Sequence, residues 1–413
     1  MLPTPQGHRV PSAAWWLLGA GVVLRLALVP LPGYDVEAFQ TWSDALAREG
    51  LTQAYELNVD NRINYPPVSL YVFWALGLVY QSFAGASIPG SVTSAAAIKL
   101  AIIAADAAAI VALTILLHSN ERENEQHSLP WVAAYALHPA VMWNTAYWAG
   151  IDAMDSLTTL LALLFLLRGR FDLALALATV GVLVKPLAAP LWLLTMWVRI
   201  RVQGPSTIPS ALAVSTGTAL LLYAPWLVHG KMVSAILALG QNLGNYPVLS
   251  ANAHNVWWVL SGGDGWQPDS GGLNFISYRL WSLLALLAAL VWGLRLVPRQ
   301  PDRRQIFHAS AYVLMALPML VTEVHENWAL TAIPPLVAAC AVDSRIRPVF
   351  YLLLITTLLN LALHDDGLQS AMGSSWDETV LLPMLRLGNA VIATASFAFW
   401  TARLPNYMTR LPP

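Results

Sequence analysis

The chain has 413 residues, of which 57% are hydrophobic and only 11% charged, against roughly 25% charged in a soluble globular domain. That composition excludes a soluble enzyme, and a formal net charge of −1 leaves no basic surface for a nucleic-acid partner. Cys340 is the one cysteine, so neither an internal disulfide nor a thiolate metal cluster can form, and it reads as a small core residue in an apolar run.

Apolar segments of about 17 to 25 residues recur from end to end, the length that helices rising 1.5 Å per residue need to cross a hydrocarbon core about 30 Å thick. Lipid offers the backbone no hydrogen bonds, so the expected fold is an all-α polytopic membrane protein. In chain order the spans are expected at 12–32, 95–117, 130–146, 156–168, 171–184, 187–199, 209–228, 277–297, 306–322, 328–342, 348–364 and 379–402, about twelve in all. The first is too long for a signal-peptide core and lacks a small-residue cleavage site, so it reads as a retained span. No internal repeat or soluble domain interrupts the series. The whole chain 1–413 is read as one membrane domain, with its largest outer loops at 33–94 and 229–276.

The basic residues orient these spans. Arg9, Arg122, Arg168, Arg170, Arg199, Arg201, the 295–304 stretch "RLVPRQPDRR", Arg345, Arg347, Arg403 and Arg410 all fall in loops that can be cytoplasmic. The opposite loops collect most of the 23 acids, among them Asp44, Glu56, Asp60, Asp264, Asp269, Glu323, Asp365, Asp377 and Glu378. With Arg9 and "ERENEQH" both inside, one span alone fits between the first outer loop and residue 118. The apolar stretch "YPPVSLYVFWALGLVY" (65–80) is therefore expected not to cross. Within "FDLALALATVGVLVKPLAAPLWLLTMWVRIR" (171–201), Pro186 disfavours helix at Lys185, so two short helices should go out and back with Lys185 at their turn.

The outer loops hold the candidate chemistry. The first span empties into "LPGYDVEAFQTWSDALAREG" (31–50), where Asp35 and Glu37 open a helix. Its Phe39, Trp42 and Leu46 recur at helical spacing opposite Gln40, Asp44 and Arg48, the pattern of a helix in the membrane interface. Asp35 either caps that helix or serves as a general base, a partly desolvated carboxylate that takes a proton from an incoming hydroxyl. "YWAGIDAMDS" sets Asp152 and Asp155 three apart, on one helical face, where they cap the next helix, hold a metal or orient an acceptor. Lys185 either snorkels to water or meets a phosphate as a point charge. In "TEVHENWAL", His325 and Glu326 follow Glu323, and ionisable residues at membrane depth are functional candidates by default. "NYPVLSANAHNVWWVLSGGDGW" (245–266) reads as an aromatic belt or a sugar platform, with His254 as a supporting residue. Lys99 and Asp106, inside one span, and His138 read as buried structural groups.

The ordered series "YDVEAFQTW", "YPPVSLY", "KLAIIAAD", "LHPAV", "YWAGIDAMDS", "VKP" and "VHENWALTAIPP" resembles the GT-C glycosyltransferases. The likeness is greatest to the dolichyl-phosphate-glucose glucosyltransferases of the N-glycan pathway and their bacterial polyprenyl-dependent relatives. It runs from about residue 34 to 336; each motif is weak alone, and their shared order carries it. The resemblance implies a GT-C fold with membrane-associated helices in the first outer loop, Asp35 as the catalytic carboxylate, and Tyr65, Pro66 and Pro67 closing that loop against the membrane. His325 and Glu326 match the family's "HE" pair, but Asn327 stands where those enzymes carry Lys; Lys185 is the cation available to a donor phosphate in its place, with His325. "AGIDAMD" is similar to a metal-binding acid motif of oligosaccharyltransferases, whose other acids have no match here, so no metal and no cofactor is expected.

The function expected from these residues is inverting transfer of a single hexose, of mannose or glucose type, from a polyprenyl-phosphate sugar to the hydroxyl of a lipid-linked or other glycan acceptor. The setting would be the extracytoplasmic face of a prokaryotic plasma membrane. Asp35 is the expected catalytic residue, Lys185 and His325 bind the donor phosphate, and Glu37, Tyr65, Asp152, Asp155, His254 and Glu326 support. A lipid or solute transporter is the alternative from another class; it would use the broken helices as a midplane site, but the acids crowd one face and no inverted repeat is evident.

Overall fold

The computed structural model describes residues 12–409 apart from 34, 58, 60–62, 86–89, 119–124, 241–243, 245, 274 and 374–379. Arg9, Asp60, Arg122, Asp377, Glu378 and Arg410, which enter the topology argument, lie outside the described residues. The chain divides into two compact units after residue 243, a division that falls inside the 229–276 loop.

The first unit holds α1 (Ser12–Leu28), α2 (Val36–Glu49), α3 (Pro67–Ala84), α4 (Val92–His118), α5 (Glu125–Ala136), α6 (Pro139–Met142), α7 (Asp152–Leu167), α8 (Phe171–Val184), α9 (Ala189–Gln203), α10 (Ile208–Val228) and α11 (Met232–Gly240). The second holds α12 (Val256–Leu260), a two-stranded hairpin β1 (Gly272–Leu273) and β2 (Ile276–Ser277), α13 (Tyr278–Arg295), α14 (Arg303–Leu320), α15 (Ile333–Val342), α16 (Arg347–Leu363), α17 (Asp366–Met372) and α18 (Leu381–Met408). Among the described residues six helices are long and apolar enough to cross a bilayer: Pro67–Ala84, Val92–His118, Pro205–Val228, Tyr278–Arg295, Ser344–Leu363 and Leu381–Met408. Ser12–Leu28, Phe171–Val184 and Trp328–Val342 are shorter apolar helices. This is an integral multi-pass membrane protein, because that many apolar helices have no other stable solvent.

Most of the 65–80 stretch, expected not to cross, lies in α3, which is long and apolar enough to do so with a mean hydropathy of 1.3; helix length and loop charge thus point different ways there. One expectation is corrected. The segment 130–146 is not one span. Pro139 cannot continue a helical hydrogen-bond ladder, so α5 stops, α6 restarts with Pro139 in its first turn, and a π-helical turn follows over Trp143–Tyr147.

The stripe on α2 also finds a different partner. Phe39, Trp42 and Leu46 are buried within the unit, not in lipid. Phe39 stacks on Phe73 of α3 with ring centroids 4.6 Å apart, and Trp42 meets the same ring edge-on at 5.9 Å. On the opposite, polar face Gln40 and Asp44 are buried and Arg48 is exposed; Gln40 Nε2 donates to Ser94 Oγ at 2.6 Å and to the Ser91 carbonyl at 2.7 Å. α2 and α3 cross so closely at Gly77 that a Cβ there would lie 2.0 Å from the Ser43 carbonyl oxygen.

One ion pair lies wholly inside the first unit between α1 and α4. Arg25 of α1, fully buried, gives Nε to Asp106 of α4 at 2.6 Å and Nη1 to the Ala136 carbonyl at 2.6 Å. Tyr135 and Thr145 hydroxyls also donate to Asp106, at 2.9 and 3.3 Å. In the second unit, Asp343 gathers Arg304, His308 and Arg345. Arg345 and Gln305, which follows Arg304, clasp the end of α18: Gln305 Nε2 donates to the Met408 carbonyl at 2.6 Å and Arg345 Nη1 to that of Asn406 at 3.0 Å.

Gly77→Ala should lower the thermal unfolding midpoint in detergent by an amount equivalent to about 1–3 kcal/mol, because the obstructing atom is backbone and cannot rotate away. Gly19→Ala, on a helix surface with nothing within 4 Å of the new Cβ, should leave the midpoint unchanged or slightly raised. Equal effects at the two positions would contradict the close crossing.

Candidate active site

Two loops of the first unit run against each other, backbone to backbone. The loop leaving α1 contains Gly33, where a Cβ would lie 2.4 Å from the Tyr147 carbonyl oxygen, so only glycine allows the approach. Two residues on, the Asp35 N–H donates to the Trp148 carbonyl at 3.2 Å. Lys99 of α4, buried, donates from Nζ to the Leu31 carbonyl at 2.6 Å and anchors the same loop. Lys99 and Asp106 are thus structural, as expected of them, though Asp106 partners Arg25 and Lys99 a carbonyl.

Asp35 lies at the N-terminus of α2, but its side chain makes no capping hydrogen bond, which removes the capping account of this acid. The residue is half-buried. Burial, opposed by the Lys185 ammonium and reinforced by the Asp152 carboxylate, raises its carboxyl to about 6. Asp35, Asp152 and Lys185 therefore sense one another's charge. Glu37, in the first turn of α2, is exposed.

Lys185 sits where expected, in extended backbone between α8 and a short turn Pro186–Ala188 that leads into α9. Its ammonium donates to Asp152 Oδ1 at 2.8 Å, with both side chains buried. The other Asp152 oxygen accepts from Asn144 Nδ2 at 3.0 Å. Asp152 opens α7, whose N-cap position is Ile151, without a side-chain cap. Asp155, one turn along and fully buried, has no hydrogen bond to either carboxylate oxygen. A Cβ on Gly181 of α8 would come within 3.5 Å of one of those oxygens, so the acid faces the same helix that ends at Lys185. Tyr65 also sits within electrostatic range of Lys185, its ring packed on Phe39 and Trp42 at 6.1 and 5.4 Å. Ser69 of α3 completes the arrangement by donating to the Val184 carbonyl at 2.8 Å.

The structure thus brings Asp35, Tyr65, Asp152, Asp155 and Lys185 into one cluster of the first unit. His254, His325 and Glu326 belong to the second unit. There His325 meets the Tyr246 ring edge-on at 4.7 Å and bridges to Ala251 and Asn252 through its backbone, and Glu326 is buried. His254, buried, has Nε2 3.1 Å from His364 Nε2, while Nδ1 accepts from Asn389 at 2.7 Å. In the Trp-rich outer segment, Trp257 and Trp258 are buried and only Trp266 is well exposed, so it forms neither a belt nor an open platform. Asn144 is the site residue that sequence reasoning missed. It lies in a stretch that reads as continuous span, and the π turn that aims it leaves no periodic signal. No group of three or more His, Cys, Asp or Glu suited to a metal occurs among the described residues.

A lysine–carboxylate pair this deeply buried is fragile to loss of one member. Lys185→Met should cost about 3–5 kcal/mol of stability by stranding Asp152 beside Asp155, and Asp152→Asn on that background should recover much of it. Both are read from thermal unfolding in detergent; a single mutant as stable as the wild type would mean that the pair is not buried.

No protein-family model matches the chain, and no curated protein matches it. Among solved structures it is similar to ArnT from Cupriavidus metallidurans bound to undecaprenyl phosphate, at 12% identity, and to the same protein in the apo state, at 14%. Each alignment covers 96% of this chain and 78% of that chain with a TM-score of 0.48, an overlap too loose to assign fold or function.

Proposed function

We propose that the chain is a membrane glycosyltransferase that moves one sugar, of hexose type, from a polyprenyl-phosphate donor to an acceptor hydroxyl at the outer membrane face. The observation that carries this reading is Asp35: an uncapped, half-buried carboxyl next to a buried lysine–carboxylate pair, on a loop that leaves an apolar helix. A lipid-borne donor presents its phosphate at such a boundary, and no nucleotide or Gly-rich phosphate loop is needed. The resemblance noted in the sequence supports the same class.

In the proposed reaction the acceptor oxygen attacks the anomeric carbon from the face opposite the phosphate. The new glycosidic C–O bond forms as the C–O bond to the phosphate breaks, which inverts configuration. Asp35 accepts the acceptor's proton, and the polyprenyl phosphate leaves with the bonding electron pair. Lys185 is the cation proposed to stabilise the charge that develops on the leaving phosphate, held in position by Asp152. A carboxyl raised towards neutrality is a stronger base than an exposed one and still ionised at pH 7. Tyr65, packed between α2 and Lys185, lines the same cluster.

The test is transfer of radiolabelled sugar by purified protein in detergent from a panel of synthetic polyprenyl-phosphate sugars, with and without chelator. Turnover of one donor, indifferent to chelator and reduced about 10²–10⁴-fold by Asp35→Asn, is the expected result. A mutant with full activity would reject the base. An inert wild type that instead moves lipid or solute across proteoliposomes would make the protein a transporter. The base must be ionised to act, so kcat/KM should rise with pH and level off above about 6, following the Asp35 carboxyl; a profile flat from pH 5 to 8 would contradict this.

A further inference from the structure

Asp152 has two oxygens, and Lys185 engages one. A carboxylate held at a single oxygen still swings about its Cβ–Cγ bond, and the ammonium would swing with it. The second oxygen is taken by Asn144 Nδ2 at 3.0 Å, and Asn144 is itself buried, at 1% exposure. Three unusual backbone features converge on that one contact. Asn144 lies in the π-helical turn Trp143–Tyr147, a form that is rare and concentrated at functional sites. Ala149 adopts φ 66°, a left-handed conformation that is strained for a non-glycine residue. At Gly150 a Cβ would lie 2.4 Å from Asn144 Oδ1 and 2.6 Å from Nδ2, so any larger residue would push the amide out of place. The Gly150 N–H donates to the Asn144 carbonyl at 2.7 Å and closes the loop on itself.

We propose that Asn144 is the positioning residue of this site. By pinning the second oxygen of Asp152, it fixes where the Lys185 ammonium stands relative to Asp35. The role rests on the transferase reading above. Asn144 touches no substrate in this scheme; it acts through Asp152. A buried asparagine with a purely structural role needs only to have its amide satisfied. Here the backbone spends a π turn, a left-handed alanine and an obligatory glycine on aiming one N–H at one carboxylate oxygen.

The discriminating variant is Asn144→Asp, which keeps the shape and removes the donor whenever the new carboxyl is ionised. At low pH a proton shared between the new acid and Asp152 restores the hydrogen bond; at high pH two carboxylates face each other. The deficit in kcat/KM relative to wild type should therefore grow with pH, from a few-fold near pH 5.5 to about 10–100-fold near pH 8, the range typical of residues that orient a site from behind. Asn144→Ser, which keeps a shorter donor and adds no charge, should lose activity with a wild-type pH profile. Unfolding midpoints at each pH separate these effects from loss of fold. A wild-type/Asn144→Asp activity ratio that does not change with pH, or serine and aspartate variants as active as wild type, would overturn the positioning role alone. Absence of transfer by the wild-type protein from every donor would overturn the transferase reading and this role with it.

Discussion

A charged lysine inside an apolar helical assembly needs a polar or charged acceptor to compensate it. The Lys185–Asp152 pair meets that requirement and organises the first unit around it. α7 supplies the acid from its first turn, and α8 ends where the lysine must turn inwards. α3 braces that turn through Ser69. The π turn before α7 brings an amide to the acid's far side. Asp35 then acquires its character from where the pair stands, since its proton affinity reflects burial first and the two charges of the pair next.

The remaining buried charges of the unit obey the same rule without any evident chemistry. Asp106, 81 residues from Arg25, accepts from that guanidinium and from a tyrosine and a threonine hydroxyl. The Asp35 cluster differs in holding a buried carboxylate, Asp155, with neither oxygen hydrogen-bonded. Asp35 caps nothing and Asp155 has no hydrogen bond, in a cluster built from helix termini instead of helix middles. Polar groups left in that condition are expected where a ligand completes the set.

Most helices were legible from the length of apolar runs: α4, α8, α10, α13 and α16 begin and end within a few residues of expectation. The hairpin at Lys185 was legible too, because proline restricts the residue before it. What periodicity could not reveal was the identity of an apolar partner. The stripe on α2 reads alike whether it faces lipid or Phe73, and in the fold it faces Phe73. Charge parity speaks to whether α3 crosses, not to its length, because loop arginines constrain the number of crossings but not the length of an apolar helix. Within the site, Asp35, Asp152, Asp155 and Lys185 stood out as charges in a chain that has few. Asn144 did not, since an asparagine within an apolar run carries no mark of the acid it will meet eight residues later.

The joining of the Asp35 loop to the Tyr147–Gly150 loop, through Gly33 and the Asp35 N–H, bears on how such a site can diversify. The two acid-bearing loops share a backbone register, so an insertion or deletion in one would displace the acid of the other. Their lengths are locked to each other, and the pair can change only as a unit. Variation in what the site accepts must then come from residues that do not share this register, such as the surface of α2 around Glu37 or the Leu51–Glu56 turn that follows α2. A graft of this site onto another helical scaffold would have to carry both loops and the glycine between them.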